Sequence, residues 1–85
     1  MAMKYVVMKT SRGEIPIVFA TSLYHNYVAG QLGGASHVVS AGFVRHTQMG
    51  IECYGGSSSL GIKARGERDT QLVRNHLDVA AAEKP

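Results

Sequence analysis

The stretch that decides the fold is MKYVVMKTSRGEIPIVFA, residues 3–20. Residues 3–10 are rich in β-branched and aromatic side chains, and residues 14–20 alternate apolar and other side chains as a half-buried strand does. Ser11-Arg12-Gly13 between them predicts a three-residue hairpin loop that ends on a left-handed glycine. Pro16 cannot donate a hydrogen bond to a neighbouring strand, so the second strand is predicted to lie at a sheet edge.

A helix is expected after this hairpin. Thr21 and Ser22 can cap its start, and Gly33-Gly34 is a typical helix end. On a helical wheel one half collects the apolar residues Leu23, Tyr24, Tyr27, Val28 and Leu32. The other half holds His25, Asn26 and Ala29. We therefore expect the first half to lie in the core or in an interface.

The same plan is repeated in the middle of the chain. Residues 37–47 and 51–54 have strand composition, and the loop between them repeats the Thr-x-x-Gly spacing of the first hairpin. Each hairpin is followed by a helix pattern, so the sequence predicts two ββα units. A three-residue loop in the second hairpin would place Arg45 directly across from Cys53.

The last third of the chain predicts a short fifth strand and a second helix. Residues 60–65 alternate in polarity, and residues 67–77 have a helical pattern. The apolar arc of this helix consists of Leu72, Val73, His76, Leu77 and Ala80. Glu67 and Asp69 lie in its first turn, where the helix dipole favours anions.

These elements together predict an α+β fold in the order β-β-α-β-β-(β)-α. A single domain is expected over residues 1–79, followed by a frayed or disordered tail over residues 80–85. The strands would form an antiparallel sheet of four to five strands with both helices on one face. The other face would then be open to solvent or to a partner.

Composition narrows the class of protein. The chain has 85 residues, with nine Lys and Arg against six Asp and Glu and a formal net charge of +3. Such a small domain has a thin core, which favours a binding or self-associating surface over a sealed catalytic cleft. Cys53 is the single cysteine, so no intrachain disulfide can form and a reducing cytoplasm is expected. The apolar run of residues 5–8 is too short for a membrane span or a secretory signal.

A Gly/Ser-rich run, CYGGSSSLGIKARG at residues 53–66, turns basic before the second helix. Free backbone N–H groups and serine hydroxyls there could hold an anion. The run is not a P-loop, because Ile62 separates the second glycine from the lysine and Ala64 replaces the magnesium-binding Ser or Thr. The candidate anion- or nucleic-acid-binding residues are Ser57, Ser58, Ser59, Lys63, Arg65 and Arg68. A flexible connection between strand and helix is the alternative interpretation.

No residue pattern predicts a catalytic or metal site. Cys53 would be a nucleophile only if His37 or His46 activated it, whereas a free cysteine is more commonly a buried core residue. The four histidines are scattered through the chain without ligand spacing, and there is no second cysteine. Neither a catalytic residue, nor a metal, nor a cofactor is therefore expected.

Three segments, IPIVF (15–19), VVSAGF (38–43) and SLGIKARG (59–66), resemble small uncharacterised bacterial proteins of the kind found in prophages. The resemblance spans most of the chain. It implies no catalytic residue and no particular activity.

The sequence favours a non-enzymatic protein-interaction or accessory module in the cytoplasm. It would act as a homodimer, through an edge strand or through the open sheet face, and without a membrane. The alternative is a nucleic-acid-binding accessory protein that uses the Gly/Ser loop and the adjacent basic residues. On the second helix Glu67 and Asp78 accompany Arg68 and Arg74, which argues against a dedicated nucleic-acid face.

Overall fold

The protein is an α+β domain in which a four-stranded antiparallel sheet lies between two helices. The structure, a computed structural model, describes residues 2–82, with side chains to residue 78. Its elements are β1 (Met3–Thr10), β2 (Gly13–Phe19), α1 (His25–Gln31), a 3-10 turn (Ala35–His37), β3 (Val38–Thr47), β4 (Gly50–Tyr54), β5 (Gly56–Ser57), β6 (Ile62–Lys63) and α2 (Glu67–Ala82). The main sheet has the order β2-β1-β3-β4, and β5 and β6 form a separate two-stranded sheet. The predicted α+β class is confirmed, and the predicted element order fits roughly, because two short strands that form their own sheet replace the single fifth strand that was predicted over residues 60–65.

The two hairpins share one turn geometry. Thr10 pairs with Gly13, and Thr47 pairs with Gly50. In each turn the threonine hydroxyl donates to the glycine carbonyl at 2.9 Å and accepts the backbone N–H of the residue before that glycine at 3.1 Å. Because this hydroxyl closes the turn around two residues, the prediction of three-residue loops is wrong. Arg45 consequently lies across from Glu52, not across from Cys53.

The helices cover opposite faces of the sheet. Val6 and Met8 of β1 pack in the cluster that contains α1, whereas Tyr5 and Val7 pack in the cluster that contains Val73 of α2. The prediction that both helices share one face is therefore wrong, as is the expectation of an open face. The physical reason lies in β1, whose apolar side chains point to both faces, so that each face must be covered.

The buried side of α1 differs from the wheel prediction. His25, Val28 and Ala29 are buried, while Leu23 and Tyr24 are exposed. The helix begins only at His25, with Tyr24 as its N-cap, so Thr21 and Ser22 do not cap it as predicted. Small Ala29 lets the helix approach the sheet closely, and His25 Nε2 finds the carbonyl oxygen of Gly42 at 2.8 Å. These two contacts explain why this side of α1 is buried, although the other side carries more apolar residues.

Helix α2 continues to Ala82, beyond the predicted end at Leu77. Residues 83–85 of the predicted tail lie outside the described residues. Val73 is buried as predicted. Leu77 is exposed, whereas Asp69, which is not part of the predicted apolar arc, is fully buried. Strand β2 lies at the sheet edge, as Pro16 predicted.

Candidate functional site

The Gly/Ser-rich run folds into the β5–β6 hairpin. Gly61 donates its N–H to the carbonyl of Ser57 at 2.9 Å, and its φ of 66° is in the left-handed region that glycine adopts without strain. The buried hydroxyl of Ser57 accepts the N–H of Leu60 at 3.1 Å and lies 3.3 Å from Ser59 Oγ. Ser57 therefore organises the turn and has little capacity left for a ligand.

Ser59 also forms a hydrogen bond with a residue outside its own hairpin. Its hydroxyl accepts the backbone N–H of Asn26, in the first turn of α1, at 3.3 Å. The N-cap residue of α1, Tyr24, makes no such side-chain bond. The hairpin thus supplies the cap that the local sequence lacks.

Ser58 and Lys63 remain available on the surface. Together with Ser57 and neighbouring glycines they line a shallow groove of about 450 Å³, open to solvent. Both side chains are exposed. Of the six predicted anion-site residues, the structure brings these three to one groove.

Arg65 and Arg68 are held elsewhere, by carboxylates. The Arg65 guanidinium binds both Glu14 oxygens, at 2.8 and 3.1 Å, and Nε binds Asp69 at 2.8 Å. Arg68 reaches Glu14 at 3.2 Å. The hydrogen bond with Glu14 raises the pKa of Arg65, and the same bond lowers the pKa of Glu14. Two of the three predicted cations are therefore already paired with acids.

The carboxylate of Asp69 is the most highly coordinated group described, and the sequence pattern did not identify it as such. One oxygen accepts the Tyr5 hydroxyl at 2.5 Å and the Arg65 N–H at 2.8 Å, and the other accepts Ser40 Oγ at 2.9 Å and Arg65 Nε. Burial alone would raise the pKa of Asp69, but these hydrogen bonds outweigh burial and lower it. Burial and the bond to Asp69 raise the pKa of Tyr5 well above its usual value. The group is enclosed and satisfied, which is the arrangement of a structural network.

Cys53 is a buried thiol in the cluster beneath α2. Burial raises its pKa to about 11, and the charges of Asp69 and Glu52 act in the same direction. A thiolate is the nucleophilic form of cysteine, so this environment suppresses nucleophilic chemistry at neutral pH.

The outer side of α1 and the two residues before it carry three of the seven large hydrophobic side chains that are exposed in the described part of the chain. Leu23, Tyr24 and Tyr27 have exposed fractions of 40%, 70% and 56%. We call Leu23, Tyr24, Tyr27 and Gly30 the α1 face. The sequence pattern did single out the first three, but as part of a helix side that would be covered.

Comparisons with known proteins add no assignment. No protein-family model matches the chain, and neither a curated protein nor a solved structure matches it significantly. Within residues 2–82 the structure contains no cluster of three or more metal-ligating side chains. In the same part of the chain, no helix is both long and apolar enough to cross a membrane.

Proposed function

We propose that the protein is a non-enzymatic, cytoplasmic protein-interaction module that works as a homodimer through the α1 face. The observation that carries the proposal is the exposure of two tyrosines from the predicted apolar side of α1. Its buried side holds only Val28, Ala29 and His25, while Tyr24 and Tyr27 are more than half exposed. Tyrosine is one of the residues enriched at the centres of protein interfaces, because it combines a large apolar body with one polar group.

Gly30 supports a close contact on this surface. It lies in the interior of α1 with ordinary helical φ, and a Cβ at this position would meet nothing within 4 Å. A helical glycine costs about 1 kcal/mol relative to alanine, and nothing packed inside the monomer requires it. A partner backbone could approach α1 closely at Gly30, because no Cβ projects there.

The sheet edges are poor alternatives for pairing. Edge strand β2 carries Pro16, which lacks an N–H, and proline is a common means of blocking strand addition. At the other edge, Thr70 Oγ1 accepts the N–H of Cys53 at 2.9 Å and Arg74 donates to the carbonyl of Ile51 at 3.0 Å. Side chains of α2 thus occupy hydrogen-bonding groups that an added strand would need.

A second copy of this chain is the partner that fits best. No residue of the α1 face is charged, but Lys4 Nζ lies 5.4 Å from the Tyr24 ring centroid. A contact between two copies about a two-fold axis is therefore expected to centre on Tyr27 and Gly30 rather than on Tyr24. A domain of this size also gains buried area that its own core lacks.

The test is the mass in solution, measured by light scattering at micromolar concentration. We expect twice the monomer mass for the natural chain and monomer mass for Tyr27→Glu, which places two carboxylates at one contact. Met49→Glu is the matched control, because Met49 is 85% exposed on the β3–β4 turn, outside the α1 face. A natural chain that stays monomeric, or a Met49→Glu variant that dissociates equally, contradicts the proposal.

The nucleic-acid alternative retains one supporting observation. Ser58 and Lys63 line an open groove, but Arg65 and Arg68 are paired with Glu14 and Asp69. Three of the described Lys and Arg side chains, Arg45, Arg65 and Arg68, are paired with acids, and both arginines of the predicted nucleic-acid set are among them, so we rank this function second. Retention on DNA or RNA that weakens steeply as salt rises would favour it.

A further inference from the structure

A second groove lies between the start of α1 and the β5–β6 hairpin. It has a volume of about 370 Å³, and Lys4, Tyr24, His25 and Ser58 are among the residues that line it. We call it the His25 groove. Gly56 and Ser58 also line the 450 Å³ groove of the Gly/Ser hairpin, so the two depressions adjoin. Tyr24 belongs both to this groove and to the α1 face, so a ligand here and a second copy of the chain would compete for its ring.

The imidazole of His25 is built into this groove with a defined tautomer. Only 4% of the residue is exposed, and its Nε2 lies 2.8 Å from the carbonyl oxygen of Gly42. A carbonyl oxygen only accepts, so Nε2 carries a proton and Nδ1 of the neutral ring is an acceptor. Phe19 and Phe43 hold the ring edge-on, with centroids at 5.5 and 5.7 Å.

Nδ1 of His25 has no partner among the described residues. Every fully enclosed polar side-chain atom in the described part of the chain does have one. Nδ1 is therefore not fully enclosed, and His25 is one of the residues that line the groove. A neutral imidazole nitrogen without a protein partner can accept a hydrogen bond from a ligand in the groove.

The electrostatics of the groove favour an anion. Lys4 Nζ donates to the carbonyl of Leu23 at 2.9 Å and lies 5.4 Å from the centroid of the Tyr24 ring. The chain has no Asp or Glu between Glu14 and Glu52, and Glu52 is paired with Arg45. None of the described ion pairs involves Lys4, so its charge is not neutralised by an acid.

We propose that the His25 groove binds a phosphate group. Lys4 supplies a fixed positive charge, the exposed hydroxyl of Ser58 donates a hydrogen bond, and Nδ1 of His25 accepts one from a protonated phosphate oxygen. A cation, a donor and an acceptor suit the charged and protonated oxygens of a hydrogen phosphate, and the charge-assisted hydrogen bond from Lys4 is the strongest of the three. The exposed ring of Tyr24 offers a stacking surface if the phosphate carries a base.

The experiment is an NMR titration of the full ¹⁵N-labelled chain, first with inorganic phosphate and then with a nucleoside monophosphate. We expect saturable shifts at the backbone amides of Gly56 and Ser58, and a saturable shift of the His25 Nδ1 resonance with the Nε2–H tautomer retained. Tighter binding of the nucleotide would show that Tyr24 contacts the base. Equal binding would show that the phosphate group alone is recognised.

Two lysine variants distinguish binding in this groove from general attraction of an anion to a positively charged protein. Lys4→Gln and Lys9→Gln each remove one lysine charge from β1, but Lys9 does not line this groove. We expect Lys4→Gln to raise the dissociation constant about tenfold and Lys9→Gln to leave it within about twofold. Ser58→Ala, which removes only an exposed hydroxyl, is expected to weaken binding in a folded protein. Equal effects of the two lysine variants, or the absence of saturable shifts at millimolar phosphate, would overturn the proposal.

Discussion

At the scale of single residues, the carboxylate of Asp69 ties together distant parts of the chain. It joins Tyr5 of β1, Ser40 of β3 and the backbone that leads into α2, and Arg65 extends the network to Glu14 of β2. A buried carboxylate is costly unless it is fully hydrogen bonded. Because every bond in this set stabilises the ionised form, the network should respond to pH.

Asp69 is expected to make stability dependent on acid pH. Its folded pKa is lowered, so the stabilisation is fully present above the unfolded value of about 3.9 and is lost as pH falls through the folded value. The pKa of Glu14 is also lowered, mainly by its hydrogen bond with Arg65, and acts with the same sign. The free energy of unfolding, measured in urea between neutral and acid pH, should therefore decrease below about pH 4.

Asp69→Asn tests this assignment. The variant should lower the free energy of unfolding at neutral pH by about 3 kcal/mol, because Arg65 loses its buried partner. It should also flatten the acid dependence. Asp78→Asn is the control, since Asp78 is an exposed acid on the same helix. An Asp69→Asn variant that keeps the natural pH slope would assign the acid response to other groups.

At the scale of elements, the β5–β6 hairpin distinguishes the second half of the chain from the first. Both halves begin with a hairpin of the same turn geometry. In the first half a short connection leads to α1, whereas in the second the hairpin intervenes and α2 lies on the opposite face. The hairpin packs Leu60 and Ile62 against the α1 side and caps α1 through Ser59. The Gly/Ser-rich run is thus a structural support for α1.

Ser59→Ala measures that support. Removal of the hydroxyl leaves the Asn26 N–H without its described partner, so we expect a loss of about 1 kcal/mol in the free energy of unfolding. Hydrogen exchange of the α1 amides should accelerate more than exchange of the β1 amides. Ser11→Ala, at an exposed turn position, should change neither measurement. Uniform acceleration throughout the chain would argue against a local capping role.

At the scale of the whole molecule, the covered sheet faces and obstructed edges direct association to the α1 face. Tyr27 and Gly30 lie one helical turn apart on this surface, and neither is needed to close the described core. Fold stability and association should therefore be separable there.

Gly30→Ala should change the two properties in opposite directions. It removes the helical cost of glycine, so the free energy of unfolding of the monomer should rise by up to about 1 kcal/mol. The added methyl group should meanwhile obstruct close approach and weaken the dimer, seen as an increased dissociation constant in sedimentation. Gln31→Ala, a change at an exposed helical position next to it, is the control. A Gly30→Ala variant that dimerises as tightly as the natural chain would show that α1 is not approached closely.

Sequence patterns alone predict the α+β class, the two hairpins, the turn glycines and the edge position of the Pro16 strand. These features depend on local periodicity, on backbone freedom at glycine and on the missing N–H of proline, which act within a few residues. Only the tertiary structure decided which side of α1 is buried, where α2 lies and which acids hold Arg65. Those outcomes depend on contacts between residues far apart in the chain, such as His25 with Gly42 and Arg65 with Glu14. The local sequence pattern shows only which residues are apolar. Which side of α1 packs on the sheet depends also on the close approach that Ala29 permits and on hydrogen-bond partners for buried polar groups.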